Sequence, residues 1–204
     1  MTRVLIATSN PGKLRDFAGA AKSFHIEIAG IPNFGSLPEV VEDGLTFEAN
    51  ARKKAEEYSL YAPGEVVLAD DSGLAVDALN GAPGVHSARY ANLGTDVGAN
   101  ASDEANNARL LREIAGLPAE RRAAQFVCFL AAARHGKTLA VFSGEAHGIL
   151  LDAPRGSHGF GYDPLFYFSA LNKTFAELTP EEKAMVSHRG AAFRKFLEWQ
   201  LEIK

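Results

Sequence analysis

Apolar residues recur along this chain in two rhythms, short uninterrupted runs and longer stretches with a helical period, and the two alternate from one end to the other. Val4–Ala7 is an apolar run of strand type; Leu14, Phe17, Ala18, Ala21 and Phe24 then fall at helical spacing over Lys13–Phe24. After an Ile26/Ile28 alternation and a polar loop around Pro38–Gly44, TFEANARKKAEEYSLYA predicts a second helix, with Thr46 as N-cap and Ala51, Ala55 and Tyr58 on one face. The apolar run VVLA that starts at Val66 predicts a buried strand ending at the acidic pair Asp70 and Asp71. Ser102 predicts the cap of a helix through Ile114, with Asp103 and Glu104 in its first turn and Gly116–Pro118 as its stop.

Farther along, AAQFVCFLAAA and TLAVFSGEAHGIL predict two strands joined through RHGK as a β-hairpin. Thr179-Pro180-Glu181-Glu182 offers a cap, a proline at the first helical position and a glutamate three residues after the cap, a strong helix start. The pattern predicts that this last helix breaks near Gly190 before AAFRKFLEWQL resumes it. Strand and helix signals that alternate without a linker or repeat describe a mixed α/β protein, read as a single domain over residues 1–204.

Composition narrows the function classes. With 204 residues, 47 % of them hydrophobic and 23 % charged, the chain can bury a real core and has no bias toward disorder. A net charge of −4 disfavours general attraction to nucleic acid or anionic membranes, so any phosphate site must be local. MTRVLIATSN lacks the apolar core of a secretory signal, and no window approaches the roughly 20 apolar residues of a membrane span. The single cysteine, Cys128, lies in an apolar run and reads as a small core residue in a reduced compartment. A cytoplasmic location, with neither nucleic acid nor membrane as partner, is the expectation.

Candidate chemistry gathers in five places. Asp70 and Asp71 are adjacent carboxylates after an apolar run and would repel each other unless positive charge sits beside them. Thr8, Ser9, Asn10, Pro11, Gly12 and Lys13 join a strand to a helix start, which assembles backbone N–H groups, a positive dipole end and an ammonium as phosphate requires. The same residues also make an ordinary turn, and they do not match the G-x-x-x-x-G-K-[ST] phosphate loop. GAPGVHSARYA is a shaped loop carrying Arg89, and GFGYDPLF offers Phe160 or Tyr162 as a ring face beside permissive glycines. In EEKAMVSHRG, Lys183, His188 and Arg189 collect cationic and hydrogen-bonding groups, a pattern that a solvated helix face also produces.

Taken together and in this order, TSNPGKLRD, GLTFEANA, ADDSGLAVDALNGAPGVHSARYA, GFGYDPLF and EEKAMVSHRGAA resemble the inosine/xanthosine triphosphate pyrophosphatase family over nearly the whole chain. The resemblance implies an elongated α/β fold, a long mixed central sheet with helices in two lobes and a nucleotide cleft between them, commonly as a homodimer. It implies hydrolysis of deaminated purine nucleoside triphosphates to monophosphates and pyrophosphate. By residue, it makes Thr8 to Lys13 the triphosphate-binding turn and Ser72 a phosphate or substrate contact. Phe160, Gly161, Tyr162 and Asp163 become the nucleoside loop, and Lys183, His188 and Arg189 the C-terminal substrate contacts. Asp71 becomes the proton acceptor and a metal ligand, with Glu42 as second metal carboxylate and Asp70 beside them.

Three positions depart from the family's usual pattern: Asp16 and Ala49 stand where glutamate is usual, and Val41 replaces a frequent acidic neighbour of Glu42. Ala49 leaves Thr46 without a reciprocal capping-box partner. A nucleoside triphosphate brings about four negative charges, and magnesium, or manganese in its place, commonly bridges carboxylates to phosphates. Lys13, Lys183 and Lys54 are the cations expected to stabilise charge on the transferring phosphoryl oxygens. Two other readings stay open at this point, a pyrophosphatase of different base preference and a non-catalytic nucleotide sensor.

Overall fold

The computed structural model describes residues 3–21, 26–95 and 99–202; the predicted helical position Phe24 lies outside them. Seven strands form one sheet in the order β2-β1-β3-β4-β5-β6-β7. They are β1 (Arg3–Ile6), β2 (Glu27–Gly30), β3 (Val67–Val76), β4 (Ala123–Arg134), β5 (Lys137–Leu150), β6 (Phe166–Phe168) and β7 (Lys173–Thr174). The helices are α1 (Pro11–Ala21), α2 (Phe47–Ser59), α3 (Asp103–Glu113), α4 (Pro180–Val186) and α5 (His188–Glu202). β1 runs parallel to β2 and β3, while β6 is antiparallel to β5 and β7, so the sheet is mixed. The β4–β5 connection is His135-Gly136, both at positive φ (52° and 74°), as a two-residue hairpin turn demands.

The chain divides into two compact units, Met1–Asp71 with Cys128–Glu145 and Ala184–Lys204, and Ser72–Val127 with Ala146–Lys183. Their boundaries fall within or at the ends of β3, β4, β5 and α4, which is why no Gly- or Pro-rich linker marks them in the sequence.

In the first unit, strand alternation sorts the core into two layers. Val4, Ile6, Leu68, Leu130 and Ala132 pack with Phe17 of α1 and with Phe193, Phe196 and Leu197 of α5. Leu5, Ala7, Val67, Ala69, Ala131 and Ala133 pack with Ala51, Ala55 and Tyr58 of α2. Cys128 belongs to the first layer, buried and unpaired; burial above all raises its thiol pKa, as expected for a core residue. In the second unit, Phe126, Phe166 and Phe175 form an aromatic core with ring centroids 4.7 to 5.7 Å apart.

The predicted caps are in place. Thr46 Oγ1 accepts from the Ala49 N–H at 3.1 Å and Ser102 Oγ from the Ala105 N–H at 3.2 Å. Thr179 and Glu182 exchange hydrogen bonds of 2.8 and 3.2 Å, which makes a full capping box.

Two boundaries differ from the sequence reading. β3 does not stop at the aspartate pair but continues to Val76, because buried cations described below neutralise the carboxylates inside the strand. The helix break falls at Ser187, whose hydroxyl accepts from the Gly190 N–H at 3.1 Å and so caps α5. Gly190 itself is helical. It is needed for close approach, since a Cβ there would collide with the carbonyl oxygen of Ala184.

Candidate active site

Adjacent residues of a strand point to opposite faces, and this decides what the two aspartates do. Asp70 shares the face of Leu68, toward α1 and α5. Its Oδ2 lies 3.0 Å from the Lys13 ammonium and accepts from Arg189 Nε at 3.2 Å. Arg189 also donates from Nη1 to Asp16 Oδ2 at 3.1 Å. Burial works to raise the Asp70 pKa, but the charges of Lys13, Arg189 and Lys54 outweigh it and hold the carboxyl well below the usual range. Asp70 is therefore a fixed anion.

Asp71 shares the other face, toward α2. Its Oδ2 accepts from Asn50 Nδ2 at 2.9 Å, and its Oδ1 lies 3.8 Å from Lys54 Nζ. Lys54 also donates to Glu42 Oε2 at 2.7 Å. Asn50 and Lys54 are one helical turn apart on α2, so one helix face presents an amide and an ammonium to the same carboxylate. Here burial prevails: with help from the Glu42 charge it raises the Asp71 pKa, against the opposing pull of Lys54 and the Asn50 hydrogen bond. Burial would lower the Lys54 pKa, yet Asp71 and Glu42 raise it and keep the ammonium charged. Neighbours in sequence thus carry opposite shifts, one acid pinned as an anion and the other with increased proton affinity.

Glu42 and Asp71 meet at one ammonium, whereas Asp70 lies on the other face of β3 with cations of its own. Among the described residues, no three His, Cys, Asp or Glu side chains converge as a metal-holding group. Magnesium rarely takes an all-protein cage and is commonly bound through one or two carboxylates with substrate phosphates and water, so the pair Glu42 and Asp71 is compatible in donor type with such an ion.

The turn at residues 8–13 is organised by its own side chains. Thr8 Oγ1 accepts from the Asn10 N–H at 3.1 Å, and Asn10 Oδ1 accepts from the N–H groups of Gly12 and Lys13 at 2.8 and 3.2 Å. Asn10 thereby caps α1, Pro11 takes its first position, and Ser9 is exposed. Ser72 follows the aspartates in β3 and is partly buried. His188 and Arg189 open α5 and are buried, at 2 % and 4 % exposure.

Within the second unit, the loop around Gly161 is held at successive residues. Asp163 Oδ2 accepts from the Phe160 N–H at 2.9 Å and from Lys183 Nζ at 2.5 Å. Lys183 also lies 4.9 Å from the centroid of the Phe160 ring. Gly161 donates to Asp103 Oδ2 at 2.6 Å and accepts from Asn107 Nδ2 at 2.8 Å, so α3 grips its peptide groups. The Tyr162 hydroxyl donates to the Ser87 carbonyl at 2.8 Å and only 3 % of the residue is exposed, which leaves Phe160 as the ring with an accessible face. Asn50, Asp103 and Asn107 escaped the sequence reading. The i,i+4 spacing of Asn50 and Lys54 was a visible signal, whereas Asp103 passed as an ordinary first-turn acid.

This arrangement can be set beside known proteins. The sequence profile of the Ham1 family matches residues 4–199. The chain belongs to the Ham1 family. A Geobacter sulfurreducens relative named dITP/XTP pyrophosphatase is 50 % identical over 203 residues, covering 98 % of each chain. One of the same name from Geobacillus kaustophilus is 48 % identical over 205 residues, covering 100 % of this chain and 96 % of the relative. The solved Ham1 protein of Staphylococcus aureus superposes with a TM-score of 0.81 at 40 % identity, covering both chains fully. The Ham1 protein of Coxiella burnetii gives a TM-score of 0.83 at 36 % identity, covering 99 % of this chain and 100 % of that one. The Ham1 fold of this chain therefore extends over its full length.

Proposed function

We propose that this Ham1-family chain hydrolyses the deaminated purine nucleoside triphosphates ITP, dITP and XTP to the monophosphate and pyrophosphate, with Asp71 accepting the proton of the water that attacks the α-phosphorus. The observation that carries this reading is the split of Asp70 and Asp71 across β3. One carboxylate is spent holding Lys13 and Arg189 in place; the other keeps raised proton affinity beside Lys54. A pure binding protein has no use for that asymmetry. The names of the relatives, both of them matching over almost the whole chain, support the substrate class.

Glu42 and Asp71 are the residues that would hold magnesium, or manganese as a substitute. Bound there with the phosphates, the ion supplies charge neutralisation and makes a water easier to deprotonate. Lys54 stays charged between the two carboxylates and stabilises the phosphoryl oxygens as their charge spreads. Lys13, at the start of α1 and anchored by Asp70, meets the phosphate tail together with the Thr8–Gly12 turn; Ser72, taken by itself in the second unit, is a substrate contact of this reading. His188 and Arg189, buried at the start of α5, offer polar groups to a substrate in the first unit; within the second unit, the Phe160 ring backed by Lys183 is suited to a planar base. A homodimer and a cytoplasmic location complete the proposal; no helix of the described residues is long and apolar enough to cross a membrane.

The test is pyrophosphate release across a panel of nucleoside triphosphates with wild type and Asp71→Asn. Rapid release from ITP, dITP and XTP by the wild type alone supports the reading. Equal rates on ATP and GTP would transfer the protein to a different base class, and binding without turnover would make it a sensor.

A further inference from the structure

We propose that Asn50 is the positioning residue for Asp71, and that position 44 is glycine so that the Asn50 amide can reach the backbone there. The proposal rests on the reading of Asp71 as proton acceptor. Asn50 is 1 % exposed and uses both ends of its amide: Oδ1 accepts from the Gly44 N–H at 2.8 Å, and Nδ2 donates to Asp71 Oδ2 at 2.9 Å. Its partners fix the amide orientation, because a backbone N–H only donates and a carboxylate only accepts. A flipped amide would face like to like at both ends.

Two consequences follow from this bridge. With Oδ2 of Asp71 tied to Asn50, Oδ1 is the oxygen directed toward Lys54, at 3.8 Å. The same amide also fastens the segment carrying Glu42, two residues before Gly44, to the helix face from which Lys54 grips Glu42 at 2.7 Å. One turn of α2 thereby sets the spacing of both carboxylates. The close approach is exacting: a Cβ on residue 44 would lie 2.6 Å from Asn50 Oδ1, well inside contact distance. GLTFEAN is in this sense one device, with Gly44 and Asn50 as its two ends.

A merely structural asparagine would affect stability and leave turnover alone, so the experiment separates the two. Asn50→Ala, Asn50→Asp, Gly44→Ala and the double variant Gly44→Ala/Asn50→Ala are compared with wild type and Asp71→Asn in the full-length protein. Asn50→Asp retains an acceptor for Gly44 and loses the donor to Asp71. Turnover of ITP should fall by about 10- to 100-fold in both Asn50 variants, the usual scale for losing an orienting partner, with KM changed by less than about threefold. Calorimetric binding of ITP without divalent metal, and circular dichroism, should stay close to wild type. Gly44→Ala should lower turnover alone and add little to Asn50→Ala, because it acts through the same amide. Wild-type turnover in both Asn50 variants while Asp71→Asn is inactive overturns the proposal, as do fully multiplicative effects of the Gly44 and Asn50 changes. Should Asn50→Ala fail to fold, Asn50→Asp and Gly44→Ala decide it. Full turnover by Asp71→Asn is a different outcome, which removes the reading of Asp71 itself.

Discussion

Arg189 and Asp16 form a partly buried pair, Nη1 to Oδ2 at 3.1 Å, and the same guanidinium reaches the buried Asp70 through Nε at 3.2 Å. Asp16 meets this cation because α1 and α5 pack in one core layer. The guanidinium therefore links the helix after the Thr8–Gly12 turn to the strand that carries the aspartates.

Removing that link should be costly. Arg189→Ala leaves the buried Asp70 and the partly buried Asp16 without their shared cation, which is expected to destabilise by about 3–5 kcal/mol. Asp16→Ala, which leaves Arg189 on Asp70, should cost less, about 1–3 kcal/mol. Denaturant midpoints at unchanged m-value measure both. An Arg189→Ala variant as stable as wild type would show that the pair is not a structural link.

Asp71→Asn should fold and bind nucleotide while turnover falls at least ~10²-fold, the scale for losing a positioned general base. Turnover near that of the wild type would refute the assigned role. Steady-state rates with ITP, alongside calorimetric binding, give the answer.

Divalent metal should be obligatory, because Glu42 and Asp71 otherwise meet a triphosphate as like charges, with Lys54 as the ammonium between them. Exhaustive chelation should abolish pyrophosphate release, and magnesium or manganese should restore it. Activity that survives chelation would contradict the metal assignment.

Lys13→Ala should weaken triphosphate binding more than monophosphate binding, since the ammonium serves the phosphate tail. Its contact with Asp70 at 3.0 Å holds it in place in advance. Equal losses for both ligands would place Lys13 outside the tail site. In the same assays, products should be monophosphate and pyrophosphate in equal amounts; diphosphate with orthophosphate would exclude attack at the α-phosphorus.

Base selection should follow hydrogen-bond patterns. Hypoxanthine and xanthine present an acceptor at O6 and a donor at N1, which adenine reverses, and guanine adds an amine donor at C2. A wall of fixed donors around the start of α5 would refuse both, with discrimination of ~10² or more from groups left unpaired. Values of kcat/KM should favour ITP and XTP over ATP and GTP. If GTP matches ITP, the donor wall is wrong.

How much of this was legible beforehand depends on the range of the interaction. Caps at Thr46, Ser102 and Thr179 with Glu182 are contacts within three residues, and they form as the sequence predicts. Apolar runs and periodicity likewise marked β1, β3, β4 and β5, Phe17 and Ala21 of α1 and the Ala51, Ala55 and Tyr58 face of α2, but neither the short strands β6 and β7 nor the exposure of Ala18, and the ordered motifs were specific enough to identify the family. What the sequence could not supply was the meaning of its adjacent aspartates. Their repulsion argued for the end of a strand, yet β3 runs straight through them because the neutralising cations come from elsewhere, Arg189 from 119 positions away. The alternation of strand side chains then sends Asp70 to α1 and α5 and Asp71 to α2, a sorting that depends on which helix covers which face. Gly190 and Gly44 tell the same story: local sequence marks them as breakers, whereas packing uses the missing Cβ to bring a backbone or an amide close. Short-range hydrogen bonds and periodicity are written along the chain; charge compensation between distant segments, and the proton affinities that follow from it, exist only once those segments are folded against one another.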